Sequence, residues 1–247
     1  MCGIVGVINL ANKRQFSAAL LEEMTQLLAH RGPDESGIYV DHRVAFGQRR
    51  PRIIDLSPAG RQPMFDMGGQ VGVVFNGEIY NYGELRPGLI QRGYTFKSQS
   101  DTEVILNAYR QNGIDCIQDF IGMFAFAIYD TKTGKVFIVR DRLGIKPLYY
   151  AQYDGKLLFA SEMKSLLHYP GFPRSADPVA ISSYLSYRYP VGTRTFFKDI
   201  RSLPPGHYLE IDGDKLRCVQ YWDVPRLKDK PDHGEAWYVE RIRELLE

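Results

Sequence analysis

Residues 2–10 read CGIVGVINL, a short run of β-branched and apolar residues at the start of the chain. Such a run predicts a buried strand, and a buried strand would hold the N-terminus in place. Cys2 stands directly behind Met1. A small second residue usually permits removal of the methionine, which would leave Cys2 with both a thiol and a free α-amine. We therefore expect the first strand to start at Cys2 and Cys2 itself to be a reactive residue.

Hairpins and amphipathic helices follow along the chain. Paired strands with tight turns are predicted at GIYV and RVAFGQ, at MFAFAIYD and KVFIVRD, and at PLYYAQYD and LLFAS. Helical spacing marks FSAALLEEMTQLLAH at 16–30, DTEVILNAYRQNG at 101–113 and the tail EAWYVERIRELLE. Because hairpins dominate, antiparallel sheets with helices packed outside are favoured over a doubly wound parallel sheet. The tail helix has no terminal cap, which predicts that the natural chain continues beyond Glu247.

Composition argues against several classes of protein. The net charge of the 247 residues is +2, and the basic residues are spread out, which argues against a nucleic-acid binder. The sequence shows neither a signal peptide nor an apolar run long enough for a membrane span, so we expect a cytoplasmic protein with no membrane partner. Three scattered cysteines are too few for a disulfide framework. We expect Cys2 to be reactive and Cys116 and Cys218 to be buried or inert.

An N-terminal cysteine would carry a nucleophile and a base in one residue. A free thiol has a pKa of about 8.5 and an α-amine one of about 7.7–8.0, so the amine can accept the thiol proton near neutral pH. Attack on an amide creates an oxyanion, which Asn76 and Gly77 could bind through a side-chain amide and a close backbone N–H. Each residue also has a plainer interpretation: Cys2 as core, Asn76-Gly77 as a turn, and Asp101 as a helix cap.

Several ordered motifs together resemble the glutaminase domain of class II glutamine amidotransferases, and most of all its asparagine synthetase branch. They run through almost the whole chain: MCGIVG, HRGPDESG at 30–37, RIIDLSPAGRQPM at 52–64, FNGEIYNY at 75–82, SDTEVIL at 100–106, GMFAFAIYD at 122–130, RDRLGIKPLYY at 140–150, FASEMKSLL at 159–167 and LPPGHYL at 203–209. The resemblance implies an α+β fold of the N-terminal nucleophile hydrolase type, a four-layer αββα sandwich of two antiparallel sheets.

The resemblance also implies a role for each matching position. Cys2 would be the nucleophile, with Asn76 and Gly77 lining the oxyanion hole. The substrate, L-glutamine, would be held by Arg50 at its α-carboxylate, by the backbone of Ile53 and Ile54, and by Glu78 and Asp101 at its α-ammonium. Arg31 and Asp34 would brace the loop near the nucleophile.

The same resemblance predicts two parts of the chain and a partner. Residues 1–215 would form the glutaminase domain, and residues 216–247 a linker and the start of a C-terminal synthetase domain. The glutaminase half would need no metal or other cofactor, whereas ATP and Mg would serve only the synthetase domain. Ammonia from glutamine would be used there, and a homodimer is compatible with the pattern.

Two other functions stay open. The stretch GQRRPRIIDLS carries Gln48, Pro51 and Arg52 where histidine, leucine and serine are common in the family, so another acceptor, such as a sugar in surface polysaccharide synthesis, is an alternative. A non-catalytic binding domain with a degenerate site is the alternative from another class. The presence of Cys2 and Asn76 argues against it.

Overall fold

Strand β1 (Gly3–Asn9) is central to the first of two sheets in the computed structural model, which describes residues 1–10, 15–225 and 231–247. All seven of its residues are buried. It pairs in antiparallel fashion with β3 (Val44–Arg50) on one side and β9 (Lys156–Ala160) on the other. The predicted N-terminal strand is confirmed, and its central position explains why almost every residue of this run is apolar or small.

Within the described residues, twelve strands form two six-stranded sheets. The remaining strands are β2 (Glu35–Val40), β4 (Met64–Phe65), β5 (Val71–Ile79), β6 (Gly122–Asp130), β7 (Val136–Arg140), β8 (Tyr149–Tyr153), β10 (Arg201–Ser202), β11 (His207–Asp212) and β12 (Lys215–Gln220). The first sheet has the order β10-β8-β9-β1-β3-β2, and the second β12-β11-β7-β6-β5-β4. All of the pairings are antiparallel.

Four of the described helices pack against the outer faces of the sheets: α1 (Ala18–Gln26) and α4 (Met163–Leu167) on the first, and α2 (Tyr82–Gln91) and α3 (Asp101–Asn112) on the second. Two further helices are α5 (Pro178–Tyr187) and α6 (Glu235–Leu246), and α6 has no buried residue. One apolar cluster joins the second sheet to α2 and α3, another joins the first sheet to α1 and α4, and a third fills the space between the sheets. The predicted four-layer αββα sandwich is confirmed. In the described part of the chain, no helix has the length and apolarity needed to cross a membrane.

Three local features differ from the sequence interpretation or refine it. Asn76 and Gly77 lie inside β5 rather than in a turn, because β6 pairs with both residues. Ser100, not Asp101, caps α3, since its hydroxyl accepts the N–H of Thr102. The predicted boundary after residue 215 falls at the first residue of β12, which stays paired with β11 as far as Gln220.

Candidate active site

Cys2 lies immediately before β1, where neighbouring side chains fix its backbone. The guanidinium of Arg31 donates to the carbonyl oxygen of Cys2 at 2.9 Å and pairs with Glu162 at 2.9 Å. This contact gives Arg31 the bracing position predicted for it. The thiol is partly buried. Burial raises the pKa of Cys2 to about 11, although the N-terminal amine and Arg50 lower it. A thiol with this pKa is protonated at neutral pH and needs a base to react.

Arg50 ends β3 and is buried beside Glu35, the first residue of β2. Its Nη1 donates to Oε2 of Glu35 at 2.9 Å, and its Nη2 donates to the carbonyl oxygen of Asp55. Gly60 packs against this guanidinium, since a Cβ there would come within 2.4 Å of Nη2. These contacts fix the direction in which Arg50 points. Pro51 follows the last residue of the strand, so its missing N–H costs the sheet no hydrogen bond.

Glu35 holds three arginines together. Besides Arg50, it accepts hydrogen bonds from Arg52 at 3.1 Å and Arg61 at 3.4 Å. Burial acts to raise the pKa of Glu35, but the hydrogen bonds from these arginines hold it below its ordinary value. Asp34 accepts the backbone N–H of Arg52 at 3.0 Å. The loop after β3 is therefore tied by charge to the start of β2.

Two acids stand on the opposite side of the site. Asp101 is the first residue of α3, and its Oδ2 accepts the N–H of Ile79 at 3.0 Å. Burial raises the pKa of Asp101 to about 6, even though this hydrogen bond lowers it. Glu78 precedes Ile79 on β5 and lines the same cavity. The two carboxylates and Arg50 line one cavity, so both signs of charge are present there.

Asn76 is completely buried, and neither its amide nitrogen nor its amide oxygen has a hydrogen-bond partner among the described residues. Side chains alternate along a strand, and Val74 belongs to the cluster between the sheets, so Asn76 points into that same space. Cys2 continues the alternation of Ile4, which also faces the other sheet. Leaving a buried amide unpaired costs about 1–3 kcal/mol, which is more readily explained by a ligand-binding role than by packing.

Gln48, the residue that departs from the family pattern, is buried in the first sheet. It lies opposite Ile4 in the β1–β3 register, and its amide nitrogen has no partner within the described ranges. Because Phe46 faces the space between the sheets, Gln48 faces it too.

One small cavity brings almost all of the predicted site residues together. It is lined by Cys2, Arg50, Ile53, Ile54, Gly77, Glu78 and Asp101, together with Pro51, Gln62, Phe75, Ser100 and Thr102. Asn76 is the one predicted site residue outside this lining. The cavity has a volume of about 60 Å³. A groove of about 780 Å³ between α1 and β2 is roomier but contains none of these residues.

Three residues close to this site were missed by the sequence interpretation. Glu35 holds Arg50, Gln62 links the N–H of Phe75 to the hydroxyl of Thr102, and Lys146 is buried near Cys2. Each lies inside a motif that the family resemblance had already picked out. The motifs therefore contained the signal, but only the fold shows which neighbours these side chains contact.

Known proteins are similar to this chain over most of its length. A family model described as the glutamine amidotransferase domain matches residues 1–222. The chain is 38% identical to glutamine-hydrolysing asparagine synthetase 2 of Bacillus subtilis, covering 100% of this chain and 34% of that protein. It is 32% identical to a putative glutamine-hydrolysing asparagine synthetase 2 of Methanocaldococcus jannaschii, covering 100% of this chain and 51% of that protein. The chain thus spans a third to a half of these relatives.

Solved structures share the fold at low sequence identity. Glutamine phosphoribosylpyrophosphate amidotransferase from Bacillus subtilis, complexed with ADP and GMP, superposes with a TM-score of 0.66 at 17% identity, covering 90% of this chain and 49% of that one. A structure described as the allosteric regulatory enzyme of purine biosynthesis gives a TM-score of 0.67 at 18% identity, with the same coverages of 90% and 49%.

Proposed function

The chain belongs to the glutamine amidotransferase domain family, and on that basis we propose that it hydrolyses the side-chain amide of L-glutamine to glutamate and ammonia. Cys2 acts as the nucleophile once Met1 has been removed. The observation that carries this proposal is the cavity in which a thiol, a buried guanidinium and two carboxylates surround one small space. Free glutamine has a carboxylate and an ammonium on one carbon, and this arrangement of charges complements both.

Substrate orientation follows from the rigid parts of the site. The α-carboxylate binds Arg50, whose planar guanidinium is held in place by Glu35 and Asp55. The α-ammonium lies between Glu78 and Asp101, and the backbone of Ile53 and Ile54 closes this end of the pocket. The neutral side chain then extends toward Cys2, where the reaction takes place.

The reaction proceeds in two halves. The Cys2 sulfur attacks the side-chain carbonyl carbon as the α-amine takes the thiol proton, which gives a tetrahedral intermediate. Asn76 and Gly77 donate hydrogen bonds to its oxyanion. The C–N bond then breaks, and the departing nitrogen takes the proton from the α-amine and leaves as ammonia. Water attacks the resulting thioester, so glutamate is released and the thiol is regenerated.

Gly77 lies where a larger residue would not fit. A Cβ at this position would come within 2.3 Å of the carbonyl oxygen of Met123 on the paired strand. The absence of a side chain lets β5 stay paired with β6 while its backbone borders the cavity. This supports Gly77 as a backbone donor beside the Asn76 side chain.

We further propose that the ammonia is used by an ATP-dependent acceptor domain of the asparagine synthetase type. The support is that the related asparagine synthetases are two to three times as long as the part this chain matches. Residues 216–247 would connect the two domains, with ATP and Mg²⁺ acting only in the second. Acceptor assays on the full-length protein, with aspartate or an amino-sugar precursor, distinguish asparagine synthesis from the alternative.

The decisive experiment measures the intact mass of the protein before and after treatment with a chloroketone analogue of glutamine. We expect the mass of the chain without Met1, a single adduct on Cys2 and glutamate release that stops when the adduct forms. Cys218→Ser is the matched control, because Cys218 is exposed and distant in sequence from the site. Trimmed, folded protein that releases no glutamate and forms no adduct would contradict the proposal and favour a binding domain.

A further inference from the structure

Lys146 is a buried cation that the reaction described above does not use. Only 5% of its surface is exposed, and an isolated buried ammonium is costly. Its Nζ has no ion pair and no hydrogen bond in the part of the chain that the structure describes. Lys156 is just as buried, but its Nζ lies 3.4 Å from the carboxylate of Asp154. Packing alone does not explain why a lysine with so little exposed surface lacks a direct partner for its ammonium.

The backbone around Lys146 is fixed by one buried carboxylate. Asp141 accepts the N–H groups of Lys146 at 2.9 Å, Ile145 at 2.9 Å and Leu143 at 3.1 Å. Its Oδ2 also accepts the N–H of Phe124 at 3.1 Å. The loop between β7 and β8 is thereby tied to β6 at Phe124.

This anchor places the loop next to the oxyanion donors. Phe124 is the residue of β6 that lies opposite Gly77 in the register with β5. In addition, Arg140 donates to the carbonyl oxygen of Lys146 at 2.8 Å. Hydrogen bonds therefore hold both the N–H and the carbonyl oxygen of Lys146. The loop lies next to the part of β5 that contains Asn76 and Gly77.

Several ionisable groups in and around the site affect the pKa of Lys146. Burial lowers the pKa of Lys146, as does the nearby Arg31, whereas Cys2, Asp141 and Glu78 raise it. Seen from the thiol, burial raises the pKa of Cys2 and Asp101 raises it further. The N-terminal amine, Arg50 and Lys146 all lower it. Lys146 and Cys2 thus interact through space, and the interaction favours the charged form of each.

We propose that Lys146 is a positioning residue for the glutaminase reaction, whose buried ammonium stabilises the thiolate of Cys2 and the negative charge that develops beside Gly77. The proposal rests on the function proposed above. The proton balance of the reaction is unchanged, because the thiol proton still passes to the α-amine and Lys146 neither gives nor takes one. The ammonium acts only by its charge, which favours a nearby thiolate and a developing oxyanion.

The test compares Lys146→Met, which removes the charge at similar length, with Lys146→Arg, which keeps it, both in protein that lacks Met1. Lys156→Met is the matched control, because it removes an equally buried lysine that contacts Asp154 instead of the site. The first measurement is the pH dependence of Cys2 alkylation by iodoacetamide, with adducts assigned by peptide mass. The second is kcat and KM for glutamate release.

We expect Lys146→Met to raise the apparent thiol pKa by about one unit, so that alkylation at neutral pH slows about tenfold. The kcat should fall by a similar factor, with KM for glutamine within about threefold, because the charge acts on the reacting sulfur rather than on the bound substrate. Lys146→Arg should restore most of the alkylation rate, and Lys156→Met should behave like the parent.

Alkylation in Lys146→Met with the pH profile of the parent would overturn the proposal, as would Lys146→Arg reacting as slowly as Lys146→Met while fully folded. If Lys146→Met unfolds, Lys146→Gln replaces it as the neutral variant. A shifted alkylation profile in protein that never hydrolyses glutamine would refute the proposed function but uphold the interaction. Glutamine hydrolysis by the parent, together with an unshifted alkylation profile in Lys146→Met, would uphold the proposed function but refute the interaction between Lys146 and Cys2.

Discussion

Cys2 and Cys116 differ in burial and in the charges around the sulfur. Cys116 is buried and Cys2 is only partly buried, and burial is the largest cause that raises the pKa of both thiols. The α-amine of Met1 and Arg50 lower the pKa of Cys2, whereas Asp119 and Asp115 raise the pKa of Cys116 further. Cations therefore offset part of the effect of burial at Cys2, and anions add to it at Cys116.

The two thiols also differ in what else faces them. Cys116 belongs to the apolar cluster between the second sheet and its helices. Cys2 lines a cavity that also contains a guanidinium and two carboxylates. Cys218, predicted to be buried or inert, is in fact exposed, because β12 is the edge strand of its sheet.

Replacing each cysteine by alanine is the strongest test of this contrast. We expect Cys2→Ala to reduce glutamate release by about 10⁴-fold or more, because removing a nucleophile stops the covalent route. Cys116→Ala should retain activity within about twofold while losing stability, because it opens a small gap in the core. Steady-state assays and thermal melts measure both effects. Loss of activity in folded Cys116→Ala would remove the basis for the comparison.

The second test removes the anion that holds one of the cations near Cys2. Glu35→Ala leaves buried Arg50 without its ion pair, and breaking such a pair costs about 3–5 kcal/mol of unfolding free energy. Denaturant titration should show this loss. Arg217→Ala is a suitable control, because it breaks the exposed side of an ion pair with Glu210 and should cost less than about 1 kcal/mol. Equal losses in the two variants would mean that Glu35 does not hold Arg50 in place.

The third test separates substrate binding from thiol reactivity at Asp101. Asp101→Asn removes a charge-assisted contact to the α-ammonium, so KM for glutamine should rise about 10- to 100-fold. The same change removes an anion that raises the pKa of Cys2, so iodoacetamide should alkylate Cys2 slightly faster. Weaker binding of glutamine together with faster alkylation of Cys2 is the expected result. A slower alkylation together with unchanged KM would contradict both roles.

The same residue predicts a pH dependence. Burial raises the pKa of Asp101 to about 6, and only the ionised carboxylate attracts an ammonium. In the parent, kcat/KM should therefore fall more steeply below about pH 6, where protonation of Asp101 adds to the decline caused by protonation of the Cys2 α-amine at about 7.7–8.0. Asp101→Asn should lack only this additional decline, which a pH series of initial rates would show.

The smallest effect is expected for the alkylation of Cys116. Asp115→Asn and Asp119→Asn each remove an anion near Cys116, but burial is the larger cause of its raised pKa. Alkylation of Cys116 in the folded protein should stay slow, within about twofold of the parent. A marked increase in the double variant would show that charge, rather than burial, protects this cysteine.

Much of the fold could be predicted because its signals are local. The run at residues 2–10 predicts β1, and the hairpin turns predict the antiparallel pairs β6–β7 and β8–β9. The sandwich itself came from the family resemblance. Asn76-Gly77 was ambiguous, because the pair is typical of turns. Only pairing with a distant strand, β6, shows that it continues β5.

The site was predicted in its principal residues but not in the contacts that hold them. Arg50 was predicted to bind a carboxylate, yet nothing in the spacing shows that Glu35 already neutralises it across two strands. Lys146 was passed over because a lysine in a loop is usually solvated. Its burial depends on Asp141 and Phe124, which are brought together by the packing of the sheet rather than by nearness in sequence.

No residue separates Cys2 from the first paired residue of β1. Gly3 is already paired with Arg49, so Cys2 is the last residue before a fully constrained strand. A single residue inserted between Cys2 and Gly3 would move the thiol by about 3.3 Å and turn it to the other face of the sheet. The register of β1 therefore sets both the position and the direction of the Cys2 thiol, and a different number of residues between Cys2 and the strand would point the thiol elsewhere.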